Sequence, residues 1–156
     1  MSKHIVATID EIAVGTCKIV EIKGRSIGVF NVKGEFLALR NRCPHEGAAL
    51  CEGTITGLRQ ADQPGDYRYE RAGEIIRCPW HGWEFDIKTG QSWFDPNRVR
   101  VRPYPVTIES DISGYQPGPY TAESYPVSVQ ERFVVVDLSR NGKQRPSPPN
   151  RWRVCQ

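Results

Sequence analysis

Apolar and polar side chains alternate along much of the chain with a period of two, a pattern typical of β-strands that bury one face. The strands that this alternation predicts are 17–23, 26–32, 35–40, 74–77, 83–87, 99–102 and 133–138. Gly24-Arg25 and Lys33-Gly34 join the first three strands as the turns of an antiparallel meander. Since no window repeats its apolar residues at the helical period, the sequence predicts a mainly β fold.

Two short segments between predicted strands carry candidate metal ligands. Residues 43–47 read CPHEG and residues 78–83 read CPWHGW, so that each segment holds one cysteine and one histidine, spaced as C-x-H and C-x2-H. A hairpin tip presents such side chains on a short arc, which the proline after each cysteine stiffens. Gly47 and Gly82 relieve the steric crowding that a side chain would cause where the backbone approaches the metal site.

Two cysteines and two histidines suit two kinds of metal site. A Rieske-type 2Fe-2S cluster has cysteine ligands on one iron and two histidine ligands on the other. A structural zinc ion also accepts these ligands, but zinc fingers usually pair cysteine with cysteine and histidine with histidine. The mixed spacing therefore favours the cluster and leaves a structural zinc module as the remote alternative.

The segment from about residue 24 to residue 106 resembles the Rieske iron-sulfur domain and, in its stand-alone form, a Rieske-type ferredoxin. The motifs NRCPHEGAALCEG and CPWHGWEFDIKTG carry the resemblance. It implies antiparallel β-sheets arranged as a sandwich, one 2Fe-2S cluster, and a small cluster-binding subdomain, about 41–97, made of two hairpin loops. The resemblance implies that Cys43 and Cys78 bind the inner iron. It also implies that His45 and His81 bind the outer, more exposed iron.

Three positions depart from the Rieske proteins of respiratory complexes. Those proteins join the two loops by a disulfide, whose cysteines are replaced here by Ala48 and Trp80. They also have a serine, which donates a hydrogen bond to a cluster sulfide, where this chain has Trp83. Because the charge of the reduced cluster is then less compensated, we expect a reduction potential in the lower part of the range of about −150 to +300 mV.

Trp80 and Trp83 each allow two interpretations. They form a flat apolar docking face around the histidines, or they pack the cluster-binding subdomain. Packing suits Trp83 better, whereas the two interpretations of Trp80 are balanced. By analogy with the family, a proline-bearing third loop covers the cluster, and the candidate here is the DPN sequence at 95–97.

The length of 156 residues, with 38% hydrophobic and 25% charged residues, fits one globular domain over residues 1–138. Two inserts, about 58–73 and 107–124, are expected to be surface loops. Residues 139–156 contain five basic residues and no acidic ones, and we expect them to form a solvated tail. The body shows no basic patch that would suggest a nucleic-acid partner. Residues 1–15 lack a continuous apolar stretch, so we expect a cytoplasmic protein without membrane contact.

The three remaining cysteines are Cys17, Cys51 and Cys155, an odd number without the short paired spacing of a disulfide framework. Cys17 falls in a predicted strand and Cys51 lies just beyond the first loop, so both are expected to be small packing residues. Cys155 lies in the tail and has no expected role. His4 is expected to be solvated.

The histidine count limits what the chain can catalyse. Oxygenase subunits that carry a Rieske domain also need a mononuclear iron on two histidines and a carboxylate. The chain has three histidines, so only His4 remains once the cluster has taken two. No glycine-rich nucleotide loop offers a place for a flavin or a nicotinamide. We therefore expect no small-molecule substrate, and an electron-transfer component rather than a catalyst.

The resemblance also implies the redox partners. In the resembling ferredoxins a flavin reductase donates the electron and a terminal ring-hydroxylating oxygenase accepts it. The alternative is a non-catalytic electron-input subunit fixed in a larger oxidoreductase, with the inserts and the tail as assembly surfaces. Stable co-purification with one large subunit would distinguish this alternative from a mobile carrier.

Overall fold

The computed structural model describes residues 3–110 and 132–138, and within these ranges the chain forms ten strands and two single-turn 3-10 helices. The strands are β1 (Lys3–Thr8), β2 (Cys17–Ile22), β3 (Arg25–Val32), β4 (Glu35–Arg40), β5 (Thr54–Ala61), β6 (Tyr67–Arg77), β7 (Glu84–Asp86), β8 (Pro103–Tyr104), β9 (Val106–Glu109) and β10 (Phe133–Asp137). The 3-10 helices are Ile9–Glu11 and Leu50–Glu52. The paired strands run antiparallel, which confirms the predicted mainly β fold.

The strands form three sheets, ordered β1-β10-β9, β2-β3-β4-β8 and β5-β6-β7. The second sheet, termed the base sheet, contributes side chains from both of its faces to buried cores. On β3, Ile27 and Val29 belong to the core that also contains Val134 of β10. Phe30, on the opposite face of the same strand, belongs to the core that contains both loop cysteines. The base sheet therefore supports the cysteine/histidine loops on one side and is backed by the first sheet on the other.

The sequence pattern located the base sheet well but predicted one strand that does not form. β2, β3 and β4 match their predicted bounds to within one residue at each end. At 99–102, Val101 is buried and Arg100 is exposed, as alternation requires. The segment nevertheless has an isolated bridge between Gln91 and Arg100 in place of a strand ladder. Alternation reports which side chains are buried, and an extended segment can alternate without a continuous partner strand.

Residues 58–73 form the outer part of a β-hairpin, so the segment lies at the surface as expected, but it is paired strand and not a loop. β5 and β6 stay paired out to Ala61 and Tyr67. The register shifts at the inner end of this segment, where Arg71 adopts a left-handed conformation with a φ of 51°. Every residue from 61 to 70 is exposed, and a ribbon without a buried face lacks the alternation that predicts strands. Residues 58–73 are termed the hairpin arm below.

Cys17 and Cys51 form a disulfide, which corrects the expectation that they are merely packing residues. Cys17 begins β2, and Cys51 lies in the 3-10 helix that follows the first cysteine/histidine loop. Their Cα atoms are 5.8 Å apart, within the range of about 4.4–6.8 Å that a disulfide usually spans. The pair is separated by 34 residues, so it is the pairing of β2 with the rest of the fold that brings the two together.

Some expectations fall on residues that the structure does not describe. Of the second insert, Thr107 to Glu109 belong to β9, and 111–124 lie outside the described residues, as do the tail and Cys155. His4 on β1 is half-buried and its Nε2 atom is inaccessible to solvent, so the expectation of a solvated ring is wrong. Among the residues described, no helix has the length and the apolar character needed to cross a membrane.

Candidate metal centre

The first loop, residues 43–48, follows β4 and is closed by two backbone hydrogen bonds. The N–H of Cys43 donates to the carbonyl of Ala48 over 2.8 Å, and the N–H of Gly47 donates to the carbonyl of Cys43 over 2.9 Å. Gly47 has a φ of 87°, a conformation that is costly for residues with a side chain. This turn leaves His45 exposed while Cys43 is buried in the core.

The second loop, residues 78–83, connects β6 to β7 and repeats the same backbone turn. The N–H of Cys78 donates to the carbonyl of Trp83 over 2.8 Å, and the N–H of Gly82 donates to the carbonyl of Cys78 over 3.1 Å. Gly82 has a φ of 71°, and a Cβ atom there would meet nothing within 4 Å. Glycine at this position therefore serves the left-handed backbone, since protein atoms do not crowd it.

The two loop cysteines are free thiols at the bottom of the loops. Cys43 is 1% exposed and Cys78 is 3% exposed, and both belong to the core cluster beneath the site. Burial raises the pKa of the Cys43 thiol, the adjacent Cys78 raises it further, and the backbone N–H groups of His45 and Glu46 oppose the rise by hydrogen bonding to the sulfur. A metal ion at this position would supply the positive charge that a buried thiolate requires.

The two histidines meet above the cysteines at the surface. The Nδ1 atoms of His45 and His81 are 3.3 Å apart, and their ring planes are inclined at 82°. Two nitrogens at this separation can both bind one metal ion at the 2.0–2.1 Å typical of imidazole ligands. The Nε2 atom of His81 lies on the far side of the ring, 3.6 Å from a carboxylate oxygen of Glu46. The structure thus brings the four residues that the sequence singled out together in two pairs, Cys43 with Cys78 and His45 with His81.

The geometry of the donor atoms fits a two-iron cluster better than a single ion. Ligand atoms bonded to one zinc ion at about 2.0–2.3 Å cannot be more than about 4.6 Å apart. His45, Glu46 and His81 offer donors within 4.8 Å of one another, and in the described part of the chain no cysteine sulfur joins that group. Buried sulfurs on one side and exposed nitrogens on the other match a cluster whose two irons have different ligands. The mononuclear zinc alternative therefore loses support.

Trp83 connects the two loops. Its side chain is half-buried against the core, as the packing interpretation expects. Its ring also stacks on His45, with centroids 4.4 Å apart and planes inclined by 12°. A residue of the second loop therefore orients the histidine of the first. Trp80, by contrast, is 60% exposed, which agrees with the docking interpretation and not with packing.

Phe94, which immediately precedes the segment 95–97 proposed as the third loop, contacts Trp83. The Phe94 ring is 4.8 Å from the ring of Trp83, and 75% of the residue is exposed. The side-chain hydroxyl of Ser92, which is buried, accepts hydrogen bonds from the N–H groups of Phe94 and Asp95. This fixed turn places Phe94 at the edge of the site, next to the candidate 95–97.

Arg71 anchors the base of the hairpin arm close to this loop. Its guanidinium donates to Asp86 over 2.6 Å and to Glu74 over 2.7 Å, and its Cζ lies 5.9 Å from the ring centroid of Trp93. Hydrogen bonds from Lys33 and then from Arg71 lower the pKa of Glu74. Sequence reasoning missed this contact because Arg71 belongs to a polar segment that predicts a loop.

Glu46 and Phe94 were also missed as neighbours of the histidines. Glu46 directly follows His45, so its position in the motif was the one available signal. Phe94 precedes the proline-bearing segment by one residue, and nothing in its spacing relates it to the second loop. Both contacts depend on how the loops fold over one another.

Comparison with known proteins agrees with this geometry. The family model of the Rieske [2Fe-2S] domain matches residues 2–105. The chain is 30% identical over 104 residues to the ferredoxin component of the naphthalene 1,2-dioxygenase/salicylate 5-hydroxylase systems of a Ralstonia species, a match that covers 67% of this chain and 85% of the relative. It is 32% identical over 102 residues to the ferredoxin component of the p-cumate 2,3-dioxygenase system of Pseudomonas putida, covering 64% of this chain and 73% of the relative.

A solved structure shows the same architecture. The Sphingomonas yanoikuyae B1 ferredoxin is 27% identical and superposes with a TM-score of 0.56. The match covers 86% of this chain and 97% of that ferredoxin. The architecture of that ferredoxin is therefore contained almost completely within this chain.

Proposed function

The chain belongs to the Rieske [2Fe-2S] domain family, and from this premise we propose that it is a one-electron carrier that delivers electrons to a terminal oxygenase. The observation that carries the proposal is the histidine pair, whose Nδ1 atoms meet 3.3 Å apart at an exposed edge. A cluster held by these two histidines would exchange electrons with a docked partner through their exposed imidazole rings. Relatives named as ferredoxin components of dioxygenase systems support the assignment.

Four side chains hold the cluster in this proposal. Cys43 and Cys78 would hold one iron as thiolates, and His45 and His81 would hold the other through Nδ1. The cluster supplies reversible one-electron chemistry when bound, with a formal charge that changes from zero to minus one. The chain fixes the depth of the site: the core excludes water from the thiolates, while the imidazoles remain at the surface.

The surface around the histidines suits transient docking. Trp80 lies in the second loop and is 60% exposed. Phe94 lies beside Trp83 and is 75% exposed. Large aromatic side chains of this kind contribute strongly to protein interfaces when they are covered by a partner. We assign these two residues to the face that approaches the oxygenase.

The electron donor in this proposal is a flavin reductase, and the protein acts in the cytoplasm. The chain offers no nucleotide loop of its own, so that a hydride from a nicotinamide must be split into single electrons by another protein. A carrier that exposes a single edge of its cluster meets its donor and its acceptor in turn. The reductase and the oxygenase then dock on the same aromatic face, one after the other.

The first test concerns the cofactor. The EPR spectrum of the dithionite-reduced protein should be rhombic, with the low average g of a cluster that has mixed nitrogen and sulfur ligands. A protein that purifies with zinc and gives no such signal would overturn the proposal.

The second test concerns the direction of electron flow. Reduced protein is mixed in a stopped-flow instrument with the terminal oxygenase of a naphthalene 1,2-dioxygenase system, and oxidation of the cluster is followed by its visible absorption. Trp80→Ala should slow this step about tenfold at limiting oxygenase, because aromatic hot spots each contribute more than about 1 kcal/mol. Tyr67→Ala is the matched control, since Tyr67 is an 80% exposed aromatic residue on the hairpin arm.

The outcomes separate the candidate functions. No oxidation by oxygenases of this type, with the EPR signal intact, would refute the carrier function and leave the cluster assignment standing. Stable co-purification with one large subunit would support the electron-input subunit instead.

A further inference from the structure

Cys17 and Cys51 lie next to the cluster site without belonging to it. Cys17 is on the edge strand β2 of the base sheet, and Cys51 is in the 3-10 helix three residues after the end of the first loop. Both residues are half-buried and pack against the core cluster beneath the site. With Cα atoms 5.8 Å apart, the side chains can be bonded or separate without a large movement of the backbone.

The base sheet provides space for these two sulfurs. Gly28 stands in the interior of β3, where glycine weakens a strand unless something approaches closely. A Cβ atom at Gly28 would overlap the sulfur of Cys51 and would lie 3.1 Å from that of Cys17. Glycine at position 28 therefore leaves the space that the sulfurs of Cys17 and Cys51 occupy.

Cys51 is firmly connected to the first loop. Its backbone N–H donates to the side-chain oxygen of Asn41 over 2.8 Å, just before the loop begins. Its neighbour Leu50 is fully buried in the same core cluster as Cys43 and Ala48, which open and close the loop. A bond from Cys51 to β2 therefore fixes the segment that follows the first loop against the base sheet.

We propose that Cys17 and Cys51 are a reversible dithiol/disulfide pair, and that its oxidation state controls how firmly the protein retains its cluster. To close the bond, one thiolate attacks a small-molecule disulfide such as glutathione disulfide, releasing one thiol and forming a mixed disulfide. The second cysteine thiolate then displaces the second small thiol. Two cysteine thiols are thereby oxidised, and one small disulfide is reduced to two thiols. A dithiol reductant reverses both steps.

The reversibility rests on the cytoplasmic compartment of the proposed function and on the incomplete burial of both cysteines. Cytosolic reductants keep most thiols reduced, so a disulfide in such a protein is usually transient or redox-sensing. Neither cysteine residue is fully buried, and exchange requires that a thiol reach one of the two sulfurs. Opening it would remove a covalent restraint beside Cys43, and cluster release would become faster.

The test uses the holoprotein with Cys155→Ser, which leaves four cysteines in the chain. Samples are oxidised with glutathione disulfide or reduced with a dithiol, freed of reagent without air, unfolded with an iron chelator and alkylated. Mass spectrometry should show two alkylated cysteines after oxidation and four after reduction. Reducing the oxidised sample should raise the number from two to four, and oxidising the reduced sample should lower it from four to two. This readout does not depend on electron-transfer activity.

Cluster retention is measured on the same samples from the decay of visible absorption in the presence of a chelator. The reduced form should lose its cluster about tenfold faster than the oxidised form, because a crosslink of this span restricts the opened chain considerably. Cys17→Ser/Cys51→Ser in the same background should decay at the rate of the reduced form under both treatments. Equal decay of the oxidised and reduced forms, or four alkylated cysteines after oxidation, would overturn the proposal. The alkylation count and the decay rates of the oxidised and reduced forms are all measured on the Cys155→Ser protein. They therefore test the proposal even if the protein with the two further substitutions folds poorly.

Discussion

The two cysteine/histidine loops have the same backbone and present their histidines differently. In each loop the cysteine N–H bonds to the carbonyl five residues later, and a left-handed glycine bonds back to the cysteine carbonyl. His45 is nevertheless the third residue of its loop, whereas His81 is the fourth of its loop. The two loops share the same backbone turn, but the histidine stands one residue later in the second loop than in the first. The two imidazoles therefore meet at one point from different directions.

The offset gives the two histidines different surroundings. His45 is stacked under Trp83, so an aromatic ring from the other loop restricts its orientation. His81 has an exposed side chain and faces the carboxylate of Glu46, again contributed by the other loop. Each loop therefore orients the histidine of its partner, and changes that act on one loop are expected to affect the ligand of the other.

Removal of a cysteine from either loop is the change with the largest expected effect. We expect Cys43→Ser and Cys78→Ser each to abolish the cluster, because a serine hydroxyl does not replace a buried thiolate. Iron content and visible absorption provide the measurement. Cys155→Ser is the matched control and should retain full iron. Full occupancy in either loop variant would remove that cysteine from the ligand set.

The two tryptophans of the second loop should differ sharply in their contribution to stability. Trp83→Ala removes a side chain packed on both the core and His45, and we expect a loss of about 3 kcal/mol in the free energy of unfolding. Trp80→Ala, at an exposed position, should change this free energy by less than about 0.5 kcal/mol. Denaturant titration measures both. Similar losses would mean that the exposed ring also packs.

The shared turn can be tested at its glycines. Gly47→Ala and Gly82→Ala should each lower the free energy of unfolding by about 1–2 kcal/mol, because both positions require a left-handed backbone. Asparagine tolerates this conformation better, so Gly47→Asn and Gly82→Asn are the controls and should lose less. A large loss at one loop and none at the other would show that the two turns are not equivalent.

Glu46 offers the smallest and most specific perturbation. Its carboxylate is 3.6 Å from Nε2 of His81, and a negative charge there disfavours the addition of an electron to the cluster. Glu46→Gln should therefore raise the reduction potential by about 20 mV, a size set by solvent screening at an exposed site. Redox titration compares it with Glu52→Gln, an exposed control just beyond the first loop. A lower potential in Glu46→Gln would contradict the electrostatic explanation.

The base sheet and the candidate ligand residues were accessible from the sequence for two reasons. β3 is buried on both faces, so residues 27–32 are mostly apolar, and the Gly24-Arg25 and Lys33-Gly34 turns fix its two neighbouring strands. The candidate ligands were recognisable because their spacing is set within each loop by local geometry. Contacts inside a short segment leave a signal in the sequence of that segment.

Contacts between segments left no such signal. The disulfide between Cys17 and Cys51 joins residues that come together through the pairing of β2 with β3. The stacking of Trp83 on His45 likewise depends on the relative position of two loops. The hairpin arm was misjudged for a different reason, because a ribbon that is exposed on both faces has no hydrophobic period to detect.

The register shift at the base of the hairpin arm makes the arm a separable module. Thr56 of β5 faces Ile75 of β6 immediately inside the shift. A two-residue turn can join residues paired in this way, so replacing 57–74 by such a turn would preserve the register below it. This replacement would remove the ion pair between Arg71 and Asp86. Lengthening or shortening the chain at this point would therefore change the exposed surface of the protein without altering the two loops that carry His45 and His81.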